Sequence, residues 1–178
     1  MPDYVALLRG VNVGGRSVLK MADLRKVVEG LGYENVRTYI NSGNVLFRTS
    51  DRSRDSIAAE IRSALEELTG RDIAVMVRSK ADLARVAGHN PFPDADPQHL
   101  HVAFLSATPS SADVAAMMAL FDGQPERAEI RGSEAYVDFV NGAGRSKIDF
   151  KRIEKAGALD ATARNWRTVN TLLQKLDE

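Results

Sequence analysis

The segment from residue 9 to residue 20 is the first part of the sequence that is suited to hold a ligand. Its first eight residues read Arg-Gly-Val-Asn-Val-Gly-Gly-Arg and follow a short apolar run. Glycine lets the backbone approach a ligand closely, and successive backbone N–H groups can form a nest for an anion. Cationic side chains in the segment suit phosphate or carboxylate. We therefore expect an anion-binding loop whose candidate residues and cations are Arg9, Asn12, Gly14, Gly15, Arg16 and Lys20.

This loop matches neither of two common phosphate-binding motifs. It does not end in the Gly-Lys-Ser/Thr of a P-loop, and its glycines lack the spacing of the dinucleotide-binding fingerprint. The alternative to a binding loop is that the glycines only shape a crowded turn.

Two polar segments in the second half of the chain, residues 144–147 and 162–166, are each predicted to enter a helix. Helix N-termini present free N–H groups and partial positive charge, which favour anions. Thr162 or Asn165 is suited to cap the second helix. Trp166 begins an apolar stripe, so core packing is its alternative role. The segments contribute the cations Arg145, Lys147, Arg164 and Arg167 and the candidate ligand-binding residues Lys147, Arg164, Asn165 and Trp166.

The four cations near these predicted helix starts oppose the helix dipoles. A bound phosphate or carboxylate would relieve that repulsion. This is the strongest physical argument in the sequence for an anionic ligand.

The histidines offer one conceivable metal site. His99 and His101 would face the same side of a strand, and His89, Asp94 and Asp96 lie close to them in sequence. Such side chains suit zinc or manganese. A polar linker that runs into a strand explains the same residues, so we expect neither a metal nor a cofactor. The chain has no cysteine, which excludes disulfides, thiolate zinc sites and a cysteine nucleophile.

The elements predicted for residues 1–88 form a ferredoxin-like subdomain. Apolar periodicity, turn residues and helix caps give the order strand, helix, strand, strand, helix, strand, which is the order of the split βαβ fold. Right-handed crossovers place both helices on one face of an antiparallel sheet and leave the other face to pack or to bind. The predicted elements are strand 4–8, helix 20–31, strands 36–40 and 44–49, a helix between Ser53 and Gly70, and strand 73–77.

Residues 89–99 are predicted to be a linker, because three prolines interrupt any helix there. A second, smaller α+β subdomain is predicted over residues 100–178, in the order strand, helix, strand, strand, helix, helix. A helix therefore stands where the first subdomain has its fourth strand. The predicted elements are strand 100–105, a helix after Pro109, strands 126–131 and 134–140, a helix over 146–155 and a last helix from about Trp166. The predicted fold class is α+β.

The tetrapeptide Asn-Ser-Gly-Asn at residues 41–44 is typical of a tight hairpin turn, which explains its asparagine and glycine. In the predicted sheet, this turn lies at the same end as the end of the first strand. Arg9 and Asn41 can then be neighbours, so Asn41 and Ser42 join the candidate ligand-binding residues.

Composition argues against several kinds of partner. The 178 residues include 24 basic and 24 acidic side chains, so no net charge attracts nucleic acid or a membrane. No apolar run approaches the roughly 18 residues of a membrane span, and the start of the chain lacks the features of a secretion signal. We expect a cytoplasmic protein with no membrane partner, for which nucleic acid is a disfavoured ligand. The sequence leaves the oligomeric state open.

Several of the segments above resemble the motifs of one bacterial family, the domain-of-unknown-function family 1697. The resemblance covers essentially the whole chain, although Arg167 stands where asparagine is more usual. It implies an α+β bacterial protein with a ferredoxin-like portion and no established activity, substrate or cofactor. Because the motifs coincide with the polar loops, it favours one composite site drawn from both halves. The matching segments are residues 4–15, 36–47, 90–92, 144–147 and 162–169.

The leading hypothesis for function is the binding of a small phosphorylated or carboxylated ligand through glycine loops and helix N-termini. One alternative is an enzyme similar in outline to acylphosphatases, in which an arginine and backbone amides hold the phosphate and Asn41 orients water without a metal. Another is single-stranded nucleic-acid binding, with Tyr39 and Phe47 stacking bases on the open sheet face. Whether the protein is an enzyme stays open at this point.

Overall fold

The computed structural model describes residues 1–178, which divide into two compact units. Unit 1 comprises Met1–Ala84 and Leu172–Glu178, and unit 2 comprises Arg85–Thr171. The structure confirms the predicted α+β class. None of its helices has both the length and the apolar character to cross a membrane. The elements are β1 (Asp3–Leu8), α1 (Met21–Gly30), β2 (Glu34–Tyr39), β3 (Asn44–Arg48), α2 (Arg54–Thr69), β4 (Val75–Ser79), α3 (Lys80–Gly88), β5 (Leu100–Leu105), α4 (Ser111–Ala119), β6 (Arg127–Arg131), β7 (Glu134–Asp138), α5 (Phe150–Gly157), β8 (Ala161–Asn165) and α6 (Trp166–Leu176).

The sheet of unit 1 has the order β2-β3-β1-β4, and every neighbouring pair is antiparallel. Its elements follow the predicted order of strand, helix, strand, strand, helix, strand. Ser53 caps α2 by accepting a hydrogen bond from the Ser56 N–H, and Gly70 ends that helix in the left-handed conformation at φ 68°. Local cap and stop signals therefore set the limits of this helix. The predicted domain limits, 1–88 and 100–178 with a linker at 89–99, stay a prediction.

The core of unit 1 lies between one face of this sheet and the helices α1 and α2. Alternate residues of β1 point into it, as the two-residue period of a strand requires. Val5 and Leu7 lie on the opposite face and have no exposed surface. That face is therefore not the open surface that nucleic-acid binding would need. The core residues of β1 and the two helices are Tyr4, Ala6, Leu8, Leu24, Val28, Ile57, Ile61 and Leu65.

The sheet of unit 2 has the order β6-β7-β5-β8, again with antiparallel neighbours throughout. In both units the second, third, first and fourth strands therefore lie side by side in that order. The core of unit 2 includes Ala103, Leu105, Met117, Val137 and Ile153, which come from β5, β7, α4 and α5.

Strand β8 precedes the predicted last helix, so the prediction that a helix stands in the fourth-strand position is wrong. Its two alanines face the core of unit 2, while its threonine and Arg164 are on the other face. The alanines hid this alternation, because alanine favours helices and disfavours strands. Pairing with all but one residue of β5 decides the conformation.

The helix predicted over residues 146–155 begins later than expected. Residues 143–145 form one 3-10 turn, and α5 begins only at Phe150. Asp149 caps it, because its carboxylate accepts a hydrogen bond of 2.9 Å from the Arg152 N–H. A carboxylate at this position also interacts favourably with the helix dipole.

Candidate functional site

Residues 12–17 of the glycine loop fold back on themselves as a small hairpin. The Arg16 N–H donates to the Val13 carbonyl at 3.1 Å, and the Asn12 N–H donates to the Ser17 carbonyl at 3.1 Å. Gly14 and Gly15 form the tip, with φ of 60° and 73°. Two successive left-handed residues suit glycine, which has no Cβ to clash. The tip is open, because nothing lies within 4 Å of the place where a Cβ on either glycine would be.

Asn12 holds this loop against the turn that joins β2 to β3. Its Nδ2 donates to the Leu19 carbonyl at 2.9 Å and to the Asn41 carbonyl at 2.7 Å. Its Oδ1 accepts from the Leu19 N–H at 2.8 Å. The structure thus places the two segments side by side, as the predicted sheet topology requires. Because the Asn12 amide bonds to the backbone on both of its polar atoms, it positions the loop rather than facing a ligand.

The turn at residues 41–44 is shaped by close packing. Gly43 has φ 82°, and a Cβ there would lie 2.6 Å from Val11 Cγ2 and 2.8 Å from Leu8 Cβ. Asn44 is fully buried, and its Nδ2 donates to the Tyr39 carbonyl at 3.0 Å and to Ser42 Oγ at 2.9 Å. The glycine and the second asparagine of this motif are therefore explained by packing and turn hydrogen bonds. The side chain of Asn41 is exposed.

The surface around the loop and the turn carries more positive than negative charge. Residues 9–20 and 40–44 contain three cations and no acidic residue. Arg16 and Lys20 are exposed and form no ion pair, and Arg9 is half-buried. We call this surface the glycine-loop face and define it by Arg9, Asn12, Gly14, Gly15, Arg16, Lys20, Asn41 and Ser42.

Arg164, a candidate residue in unit 2, is buried within the protein. It lies on β8 with 7% of its surface exposed. Its guanidinium donates to Thr162 Oγ1 at 2.7 Å and to the Ala163 carbonyl at 2.9 Å. Burial lowers the pKa of the Arg164 guanidinium to about 10.

Asn165 and Trp166 have local structural roles at the start of α6. Asn165 Oδ1 accepts a hydrogen bond of 2.8 Å from the Thr168 N–H, so Asn165 is the cap that the sequence suggests. The Trp166 ring is half-buried and lies 6.4 Å from the Tyr136 ring, centroid to centroid. This placement is that of a packing residue.

The predicted conflict between cations and helix dipoles is wrong for Lys147 and Arg164. Lys147 lies in the loop before α5. Its backbone carbonyl accepts a hydrogen bond of 2.7 Å from Arg152 Nη1. Asp149 supplies a negative charge at the start of α5, and Arg164 belongs to a strand rather than to a helix.

The ten candidate ligand-binding residues fall into two sets. Six belong to the glycine-loop face of unit 1. Lys147, Arg164, Asn165 and Trp166 belong to unit 2. A composite site built from both sets stays a prediction.

Unit 1 has a buried arginine near the end of its fourth strand, Arg78, that the sequence pattern did not predict. Arg78, the second-to-last residue of β4, is 5% exposed and donates to the Val77 carbonyl at 2.9 Å. Ser79 follows it and caps the next helix, accepting from the Asp82 N–H at 3.1 Å. Arg78-Ser79 and Arg164-Asn165 share one pattern, an arginine followed by a helix-capping residue at the end of a fourth strand. The pattern can be recognised only when β8 is known to be a strand.

Phe47 is not available to stack on a nucleic-acid base. It is 2% exposed and lies in the core of unit 1. Its ring stacks on those of Tyr33 and Tyr4, with centroids 4.9 Å and 6.0 Å away. The sequence suggested an exposed face because strand alternation does not say which face the helices cover.

The structure contains no group of three or more histidine and acidic side chains that could hold a metal ion. His101 packs edge-on against Phe139 with ring centroids 5.3 Å apart, and its Nδ1 lies 3.1 Å from the His99 carbonyl. Burial lowers the pKa of His101, because it disfavours the charged imidazolium.

Comparison with known proteins places the chain in the family that its motifs predicted. The family described as "Protein of unknown function (DUF1697)" matches residues 1–136. A conserved bacterial protein of Streptococcus pneumoniae, known from its structure, is 24% identical over 98% of each chain with a TM-score of 0.73. This likeness shows a shared fold. No curated protein matches the chain.

Proposed function

This chain belongs to the DUF1697 family, and we propose that it binds a small phosphorylated or carboxylated ligand at the glycine-loop face of unit 1. The observation that carries the proposal is the pair of exposed cations, Arg16 and Lys20, which lack any acidic partner beside an open glycine turn.

Backbone donors at the tip of the loop support this proposal. The N–H groups of Gly14 and Gly15 have no acceptor within the chain. N–H groups of successive turn residues can point into one concavity and bind an anion. Any side chain larger than hydrogen at these two positions would be strained by the left-handed backbone.

The anchoring of the loop also supports binding. Asn12 ties the loop to residues 19 and 41 through three hydrogen bonds. A loop that is already held in one conformation loses little further entropy when a ligand binds. Arg16 adds a planar fork of donors, and Lys20 adds a compact charge, so the face suits an oxyanion with several acceptors.

The test is an NMR titration of the ¹⁵N-labelled chain with inorganic phosphate and then with acetyl phosphate. We expect saturable shifts of the Gly14 and Gly15 amide signals. The double variant Arg16→Gln/Lys20→Gln should weaken binding about ten-fold or more, since the net contribution of a hydrogen bond to a charged group is about 1.5–3 kcal/mol. The matched control is Lys151→Gln/Lys155→Gln, which removes two exposed cations of unit 2.

Equal weakening by the control pair would show non-specific attraction and contradict the proposal. Unchanged Gly14 and Gly15 signals at saturating phosphate would contradict it too. Added salt should reduce the affinity of the unmodified protein, because the charges are exposed.

One observation keeps the acyl-phosphate hydrolase as a second candidate. The Asn41 side chain is exposed beside the loop, where its amide is available to a bound ligand or water. Release of phosphate from acetyl phosphate, lost in Asn41→Ala while phosphate binding persists, would support this activity. Phosphate binding without any hydrolysis of acetyl phosphate would support the binding function and contradict the hydrolase.

A further inference from the structure

A cavity in unit 1 lies at the sheet end opposite to the glycine loop. It has two adjoining lobes of about 510 Å³ and 700 Å³, which share Tyr4, Asp51 and Ser79. We call it the Tyr4 cleft. Each lobe has the size typical of a small-molecule site.

The Tyr4 hydroxyl retains hydrogen-bonding capacity toward this cleft. Tyr4 is only 3% exposed. Its nearest acceptors are Asp51 Oδ1 at 3.4 Å and the Arg52 carbonyl at 3.5 Å. Ordinary O–H···O hydrogen bonds measure about 2.5–3.0 Å, so both contacts are weak. The Tyr4 hydroxyl therefore has hydrogen-bonding capacity left for a ligand group at the cavity wall.

The basic residues of the cleft are already paired with carboxylates. Arg52 donates to both carboxylate oxygens of Glu60, at 2.7 Å and 3.1 Å. Arg54 lies 3.0 Å from Asp82, and Lys80 of the second lobe lies 2.5 Å from Asp177. Because these three cations are engaged, they offer little to an incoming anion.

Two carboxylates of the cleft have no cationic partner, those of Asp51 and Asp55. Asp55 lies in the first turn of α2, where the helix dipole accounts for a negative charge. Asp51 lies outside the helix, two residues before the Ser53 cap, and accepts the weak hydrogen bond of the Tyr4 hydroxyl. The uncompensated charge beside the Tyr4 hydroxyl is therefore negative.

The second lobe has an apolar wall. Pro2, Ala81 and Ala84 line it next to Tyr4. Burial of aliphatic carbon against such a wall is favourable by about 25 cal/mol per Å². A ligand that fills both lobes therefore has a charged end and an apolar end.

We infer that the Tyr4 cleft binds a small organic cation, an ammonium group on a short aliphatic stem. The ammonium donates to the Asp51 carboxylate and to the Tyr4 hydroxyl oxygen, and the stem lies along the apolar lobe. The Tyr4 hydroxyl stays protonated, because burial, assisted by the negative charges of Asp51 and Asp82, raises its pKa. This site is separate from the glycine-loop face and does not depend on the function proposed there.

The experiment titrates n-butylamine into the ¹⁵N-labelled chain at neutral pH and follows the amides of Tyr4, Asp51 and Ser79. n-Butanol and butyrate serve as the neutral and anionic analogues of the same length. We expect saturable shifts with a millimolar dissociation constant, about what a ligand of so few atoms can reach. The alcohol and the acid should bind at least about five-fold more weakly, the effect of one lost charged hydrogen bond.

Variants separate the two contacts of the ammonium group. Asp51→Asn should weaken n-butylamine binding about five-fold or more, and Tyr4→Phe about three-fold. Thermal unfolding of both variants checks that they stay folded. Glu66→Gln is the matched control, because it removes an exposed carboxylate of α2 away from the cleft.

Three results would overturn the inference. n-Butanol that binds as well as the amine would make the cleft an apolar depression only. Tighter binding of butyrate than of the amine would show that the cleft prefers an anion. Binding that Asp51→Asn leaves unchanged, or that Glu66→Gln weakens equally, would remove the proposed ion pair.

Discussion

Replacement of Gly43 by alanine tests whether the turn at residues 41–44 is built by packing. The added Cβ would lie 2.6 Å from Val11 Cγ2 and 2.8 Å from Leu8 Cβ, both of which belong to buried residues. Overpacking of this kind costs about 1–3 kcal/mol. The left-handed backbone at φ 82° adds about 1–2 kcal/mol for any residue with a Cβ. The expected loss of unfolding free energy is therefore about 2–5 kcal/mol.

Gly70→Ala is the matched control for Gly43→Ala. Gly70 has a similar φ of 68°, but nothing lies within 4 Å of the place of its Cβ. It should lose only the backbone contribution of about 1–2 kcal/mol. The difference between the two variants therefore isolates the steric contact, at about 1–3 kcal/mol.

The assay is urea unfolding followed through NMR amide signals of unit 1, so that the reported free energy belongs to that unit. A Gly43→Ala variant no less stable than Gly70→Ala would refute the packing explanation. Residues 41–44 would then need a functional reason for their glycine. The Asn12 Nδ2 to Asn41 contact of 2.7 Å predicts that Gly43→Ala also disturbs phosphate binding at the glycine-loop face.

Three further predictions concern single side chains. Asn12→Ala should destabilise unit 1 by about 2–3 kcal/mol, because it removes three hydrogen bonds and puts alanine at a left-handed position. A loss of unfolding free energy below about 1 kcal/mol in a urea titration would contradict this prediction. Asn165→Ala should lower stability by about 1 kcal/mol through loss of the α6 cap, whereas Asn165→Ser should restore most of it. Burial lowers the pKa of His101 below its ordinary value of 6.5, because the folded state favours the neutral imidazole. The contribution of His101 to the free energy of unfolding is therefore fully present above pH 6.5 and falls as the pH drops below that value. In His101→Phe, the urea midpoint should fall less between pH 7.5 and 5.5, roughly the window in which an unperturbed histidine titrates. An unchanged pH dependence of the midpoint would show that other groups cause it.

Residues with local signals could be placed from the sequence. Ser53 and Gly70 mark both ends of α2, because a serine cap and a left-handed glycine act within one turn of the helix. Strand β5 has the predicted bounds, since a buried run of apolar residues between polar segments leaves little choice. The topology of the first sheet followed from the order of its elements. That order also predicted that the glycine loop and the turn at residues 41–44 lie at one sheet end.

Residues whose conformation depends on a distant partner could not be placed. Strand β8 was missed because its alanines favour a helix in isolation, and only its pairing with β5 overrides that preference. Arg164 looked like a ligand-binding cation, yet its place on the buried side of that strand encloses it. The same limit applies to Phe47, whose face of the sheet is covered by helices.

The sequence by itself determined the chemistry of the glycine-loop face, because the cations and glycines there are close along the chain and no acidic residue lies among them. Tertiary structure alone decided which charges stay uncompensated. Arg52, which precedes α2, pairs with Glu60 of that helix over eight residues, and Tyr4 reaches Asp51 over 47 residues. Charge pairing and burial depend on the folded distances between groups, and those distances are a property of the packed chain rather than of its local pattern.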